Sequence, residues 1–215
     1  LSSYGEGFDK ASRGLHPARV ETYAGLIFAT FDHGGVSLRD YLGDEFIYYL
    51  DAIFDRDGTG TTVLRGIHRW RIGGNWKLPS ENQAGDLYHP DTSHAAVLEL
   101  SGEATAALEP AVQVTSATGH AMVVLTLPAD SDLPARFPGG GSTAPDWFAS
   151  IQPQVEAHLG PTRSRLNIVA GNVFPNFSLL GNHIQVFEPV SVDETNVTWY
   201  GTAVVDEDGV LVLSA

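Results

Sequence analysis

Apolar positions change rhythm several times along this chain, and each change predicts an element. Between Arg19 and Phe31, the residues Val20, Tyr23, Leu26, Ile27, Phe28 and Phe31 fall in two short runs either side of Ala24 and Gly25, the pattern of two strands joined by a tight turn. Ser37 is placed to cap a short helix through Tyr41. From Glu45 to Phe54 the period lengthens, and Phe46, Tyr49, Leu50 and Ile53 form a helical stripe of the kind that packs into a core. A turn at Asp57, Gly58, Thr59 and Gly60 leads to a long strand over 61–72, carrying Val63, Leu64, Ile67 and Trp70.

Residues 111–115 and 120–127 pair as a hairpin across 116–119. Residues 128–144 are rich in Pro, Gly and Ser and read as a long loop. Pro145 opens a helix to about Leu159 with Trp147, Phe148, Ile151 and Val155 on its buried side, and three strands follow at 166–170, 183–189 and 196–205. Strands in antiparallel succession with helices gathered on one side make an α+β fold.

Composition narrows the function. The chain has 215 residues, 43% hydrophobic, enough for one large domain with a substantial core. No apolar run is long enough for a transmembrane helix and no signal pattern is visible, so a cytoplasmic protein is the default expectation. A formal charge of −14 argues against nucleic acid or an anionic membrane as partner. Cysteine is absent, which removes disulfides, thiolate catalysis and thiolate-held metal.

The candidate chemistry lies in residues 75–94, NWKLPSENQAGDLYHPDTSH. His89 and His94 are two thirds of the 2-His-1-carboxylate face that holds non-haem Fe(II) with positions left open. On an uninterrupted helix, residues five apart point about 140° away from each other. Pro90 is expected to break the helix at His89, and Asp91, Thr92 and Ser93 to cap a new turn carrying His94, so that a kinked pair of helices aims both rings at one point. Asp86, one turn before His89, is placed to orient its ring through a carboxylate hydrogen bond. The other histidines of the elements read as structural or solvated: His33 and His120 in turns, His68 in a strand, and His158 near the negative end of its helix.

The wording of this stretch resembles the NWK…EN…GD-x-YH-x4-H signature of the large, catalytic subunit of Rieske non-haem iron ring-hydroxylating oxygenases. The resemblance extends to LHPARVETYAGLIFATFD and SLRDYLGD before it, and to TGHAMVVL, GNVFPNFSLLGNHIQVFEPV and TNVTWYGTAV after it, so that it takes in nearly the whole chain.

It implies a helix-grip, START-like catalytic domain, an antiparallel sheet wrapped around helices and enclosing a mononuclear Fe(II). Residues 1–36 would be the connector and strands leading from a Rieske domain, and 37–215 the catalytic domain without its C-terminal part. A Rieske [2Fe–2S] cluster needs cysteines that this chain lacks, so the cluster is expected outside it.

The implied reaction is oxygenation of an aromatic substrate by O2. Electrons would come from NAD(P)H through a ferredoxin or reductase and the cluster, in a homotrimer or α3β3 assembly. Asp86 matches the aspartate that bridges cluster and iron, and Asn82 a polar residue close to the iron. Gln83, Leu87 and Pro90 flank the ligand face as substrate contacts, and a glutamine at 83 suggests a substituted or polar aromatic. The third, carboxylate ligand comes late in the family, and no segment here matches it; Asp206, Glu207 and Asp208 read instead as a strand-to-turn connection, so this chain by itself should hold iron weakly. Two rivals come from other classes. A zinc hydrolase would want a glutamate in an HExxH arrangement, which is absent, and a helix-grip module binding a hydrophobic ligand without chemistry would have no need of Asp86, His89 and His94 together.

Overall fold

A computed structural model of the chain describes residues 5, 7–86, 89–101, 111–126, 144–181 and 183–204. It separates into two compact units, Leu1–Tyr41 and Leu42–Ala215.

In the first unit, β1 (Arg19–Tyr23) and β2 (Leu26–Thr30) form the expected antiparallel hairpin, with Tyr23 opposite Leu26. The turn needs positive φ at both central residues; Ala24 has φ 46° and Gly25 φ 80°. Arg19 holds the following loop by donating to the carbonyls of Gly35 and Val36, while Glu21 accepts from the backbone N–H of Leu38 at 3.0 Å. Ser37 caps α1 (Leu38–Leu42) as expected, its Oγ accepting from the N–H of Asp40 at 3.0 Å.

The second unit is built on a seven-stranded antiparallel sheet. Its strands are β3 (Thr61–Ile72), β4 (Ala111–Thr115), β5 (Ala121–Thr126), β6 (Leu166–Val173), β7 (Phe177–Leu180), β8 (His183–Ser191) and β9 (Glu194–Val204). They lie in the order β3-β9-β8-β7-β6-β5-β4, so β4 to β9 run as a meander and β3 joins its last strand. The hairpin of β4 and β5 closes where expected, with Thr115 opposite Ala121. Among the described residues one more strand forms than the sequence patterning predicts: β6 runs on to Val173, and the short β7 returns beside it. Only four residues long and carrying a buried Ser178 that accepts from Asn172 at 2.7 Å, β7 has too little apolar alternation to announce itself.

Two helices, α2 (Asp44–Phe54) and α3 (Lys77–Gly85), pack on this sheet, both against β6 and α3 also against β5 and β7. The buried stripe of α2 is Phe46, Ile47, Leu50 and Phe54, rotated slightly from the expected one so that Tyr49 and Ile53 lie at its margin. With Met122 and Val124 of β5, and Leu179 and Phe187 of β7 and β8, these residues make a core whose larger side chains each stabilise the fold by about 1.5–3 kcal/mol. The α6 helix (Ala144–Arg163) contributes Val155 and Leu159, and breaks at Gly160, whose φ of 83° is not helical. His158, near that break, reaches Asp55 through Nε2 at 3.0 Å, a specific partner beyond the helix-end reading. His120 is fully buried at the start of β5 and accepts the N–H of Phe174 on Nδ1 at 3.1 Å, a structural role in the core instead of in an open turn.

Opposite the meander, β3 is an edge strand with most of its residues exposed, including Val63, Ile67 and Trp70. A bulge between Val63 and Ile67, with Gly66 at φ 110°, and the charges of Arg65, Arg69 and Arg71 are devices that keep such an edge from pairing with another chain. The proline- and glycine-rich segment expected as a loop lies, up to residue 143, outside the described residues.

Candidate metal centre

Residues far away in sequence hold α3 against the sheet. At its start, Asn75 accepts the N–H of Lys77 on Oδ1 at 3.1 Å and donates from Nδ2 to the carbonyl of Val192 at 2.7 Å, in the turn between β8 and β9. Thr195, fully buried, donates to the carbonyl of Gly74 at 2.8 Å. Midway, the buried Ser80 faces the carbonyl of Pro175 at 3.5 Å. No sequence pattern announces these anchors, because their partners are 95 to 121 residues away.

The helix ends at Gly85, φ 149°, and Asp86 continues in an extended conformation. The expected break at His89 therefore comes earlier, at the glycine. Pro90 does not interrupt a helix but opens a new one, α4 (Pro90–Ser93), at the position where a missing N–H costs nothing. The N–H groups of Thr92 and Ser93 bond to the carbonyl of His89 at 3.1 and 2.6 Å, so the backbone of His89 starts that turn, and the Thr92 hydroxyl adds a bond to the same carbonyl at 3.2 Å. His94 stands at the bend between α4 and α5 (Ala95–Ser101).

Asp86 reaches His89 although it lies outside the helix. One carboxylate oxygen accepts the backbone N–H of His89 at 3.2 Å, the other is 3.3 Å from Nδ1, and the Asp86 carbonyl is 3.1 Å from the same nitrogen. Two acceptors on Nδ1, against one longer approach by the Asn82 Nδ2 donor at 3.4 Å, favour the tautomer with the proton there, which leaves a lone pair on Nε2. That Nε2 faces Nε2 of His94 at 3.0 Å, with the ring planes inclined by 66°.

This separation can be tested against a metal ion. With each nitrogen about 2.1 Å from a shared ion, as first-row metal–imidazole bonds require, two nitrogens 3.0 Å apart subtend about 90°, the angle between neighbouring positions of an octahedron. The pair fits such an ion. Among the described residues no group of three or more His, Asp or Glu side chains completes the set. Asp206, Glu207 and Asp208 lie outside the described residues.

The remaining sequence candidates fall around the pair. The Asn82 amide lies 3.4 Å from Nδ1 of His89, on the ring edge that Asp86 also holds. Gln83 is half-buried, and its Oε1 is enclosed without a hydrogen-bond partner. Pro90 is placed by its backbone at the start of α4, and Leu87 lies outside the described residues.

The chain is similar to known proteins over most of its length. The family model for the ring hydroxylating alpha subunit, catalytic domain, matches residues 54–208. The large oxygenase component of the naphthalene 1,2-dioxygenase system of Pseudomonas fluorescens is 34% identical over 230 residues, covering 95% of this chain and 47% of that protein. Biphenyl dioxygenase subunit alpha of Metapseudomonas furukawaii is 34% identical over 196 residues, covering 86% of this chain and 39% of that one. Among solved structures, a naphthalene 1,2-dioxygenase mutant bound to phenanthrene superposes with a TM-score of 0.76 at 29% identity, over 96% of this chain and 49% of that one. The chain thus spans about half the length of the relatives it matches, or less.

Proposed function

Because this chain belongs to the ring-hydroxylating alpha-subunit family, in the part that matches its catalytic domain, we propose that it forms the oxygen-activating centre of an aromatic ring-hydroxylating oxygenase, with His89 and His94 holding Fe(II). The observation that carries this reading is the 3.0 Å approach of the two Nε2 atoms, together with the Asp86 oxygens on Nδ1 of His89. The chemistry Fe(II) supplies in such a site is reductive activation of O2 at open coordination positions, used to hydroxylate an aromatic ring.

The chain's own residues do the positioning. Asp86 holds the proton on Nδ1 of His89 and keeps the lone pair of Nε2 aimed at the site. Its partly exposed carboxylate is also the group proposed to hydrogen-bond a cluster-ligating histidine of a neighbouring subunit. Asn82 is assigned a place close to the iron, beside the ring of His89. Gln83, Leu87 and Pro90 are assigned to the substrate pocket. The partnerless Oε1 of Gln83 favours an aromatic substrate bearing an O–H or N–H group, and a Gln83→Phe variant with unchanged substrate preference overturns that assignment.

Electrons are proposed to come from NAD(P)H through a ferredoxin or reductase and a [2Fe–2S] cluster. With no cysteine among these residues, that cluster is held by others. A homotrimer or α3β3 assembly, and a cytoplasmic setting where NAD(P)H is regenerated, belong to the same reading. No helix among the described residues is long and apolar enough to cross a membrane.

The test is iron content and incorporation of labelled O2 into an aromatic substrate by the full-length subunit with its reductase. His89→Ala and His94→Ala are each expected to lose the iron and the labelled product. Labelled product from either variant at the unsubstituted rate would sink the reading.

A further inference from the structure

A side chain on the far edge of the sheet closes on the joint from which the metal centre hangs. Gln113, in β4, donates from Nε2 to the carbonyl of Ala84 at 3.2 Å. That carbonyl is one of the last four of α3, which have no partner within the helix, so a strand residue 29 positions away supplies the missing donor. The same amide lies over Gly85: a Cβ there would come within 2.2 Å of Gln113 Nε2 and 2.4 Å of its Cδ. Gly85 has φ 149°, which few other residues adopt, and it immediately precedes Asp86. Left alone, a glycine between a helix end and an extended residue is a soft joint. Here one amide both bonds the carbonyl of Ala84 and fills the space a side chain would take at Gly85.

We infer that Gln113 is a positioning residue for the metal centre: by locking the turn at Gly85 it sets the direction in which Asp86 leaves α3, and through Asp86 the orientation of the His89 ring. The inference rests on the reading of His89 and His94 as metal ligands. The contacts form one path, from the Gln113 amide to Ala84 and Gly85, along the backbone to Asp86, and from the Asp86 oxygens to the Nδ1 of His89. Helix capping alone would require the bond to Ala84; it would not require the side chain to occupy the space over Gly85.

The experiment is a Co(II) titration of the full-length subunit, followed by the visible spectrum of the bound ion and by thermal unfolding. Gln113→Met removes the donor at similar length, and Gln113→Glu keeps the shape while setting a carboxylate against the carbonyl. Both are expected to weaken Co(II) binding about tenfold and alter its spectrum, as loss of a group supporting a ligand does, while the unfolding temperature stays within a few degrees. In an Asp86→Asn background the Gln113→Met change should add little, because both act on the same ring.

Unchanged Co(II) affinity and spectrum overturn the inference, as does an effect fully additive with Asp86→Asn. A Gln113→Met chain that does not fold makes the residue a determinant of the fold and overturns the positioning role as well. Co(II) binding that survives His89→Ala in the otherwise unaltered subunit sinks the metal-centre reading itself, and shows this before Gln113 is touched.

Discussion

Asp86 does two jobs for His89, and they separate by substitution. Asparagine at 86 can still accept the backbone N–H that now bonds at 3.2 Å, but it lacks the charge beside Nδ1; alanine loses both. Asp86→Asn is therefore expected to lower metal affinity by about tenfold and Asp86→Ala by more, toward 100-fold, measured as Co(II) or Fe(II) dissociation constants. Equal losses would mean that the backbone cap contributes nothing to ring placement. At the neighbouring position, Gly85→Ala combines a disfavoured φ of 149° with a Cβ 2.2 Å from Gln113. It should destabilise the protein by about 1–3 kcal/mol, read by denaturant unfolding. These residues show how the candidate site could be read early and still be misplaced in detail. The two histidines and the aspartate stand out by type and spacing. Which residue ends the helix depends on φ at Gly85, and Pro90 looks the same in sequence whether it breaks a helix or begins one.

Elements are fastened to one another by polar side chains reaching distant carbonyls. Arg56, just after α2, donates to the carbonyls of Ser164 at 2.8 Å and Leu166 at 3.3 Å, tying that helix to the start of β6. Burial draws its guanidinium below the usual arginine range, with neighbouring Asp57 opposing the shift. Arg56→Met keeps the stem and abandons both carbonyls. The expected cost is about 2–3 kcal/mol, measured as a lowered denaturation midpoint with unchanged slope. Within the core, Met122 of β5 is fully buried, and Met122→Ala should cost about 2–5 kcal/mol by the same measurement. The strands and helices themselves were largely legible. The β1–β2 turn, the length of β3 and the β4–β5 hairpin follow from local turn chemistry and alternation. The face of α2 and the existence of β7 did not, because both depend on what packs across from them.

At the scale of the whole molecule, the candidate metal pair lies outside the apolar core of the described residues. His94 is exposed and His89 half-buried at the ends of short helical segments, while the apolar core runs through α2, α6 and strands β5 to β8. Removing metal by chelation should therefore leave the sheet folded, with the far-UV unfolding temperature of the full-length subunit lowered by only a few degrees. Collapse of the sheet on chelation would show that metal binding and folding are one event, as in small zinc domains. The sequence by itself determined the fold class, the placement of most strands and the lack of any thiolate in these residues, and it singled out His89 and His94 as the candidate pair, because each rests on composition or on neighbours within a few residues. The tertiary structure decided where α3 ends, that the two Nε2 atoms meet at 3.0 Å, and that Asn75, Ser80 and Gln113 hold the helix from its start to its end. The contacts of Asn75, Ser80 and Gln113 join residues 29 to 117 positions apart that come together only when the sheet closes, and no local pattern encodes such partners.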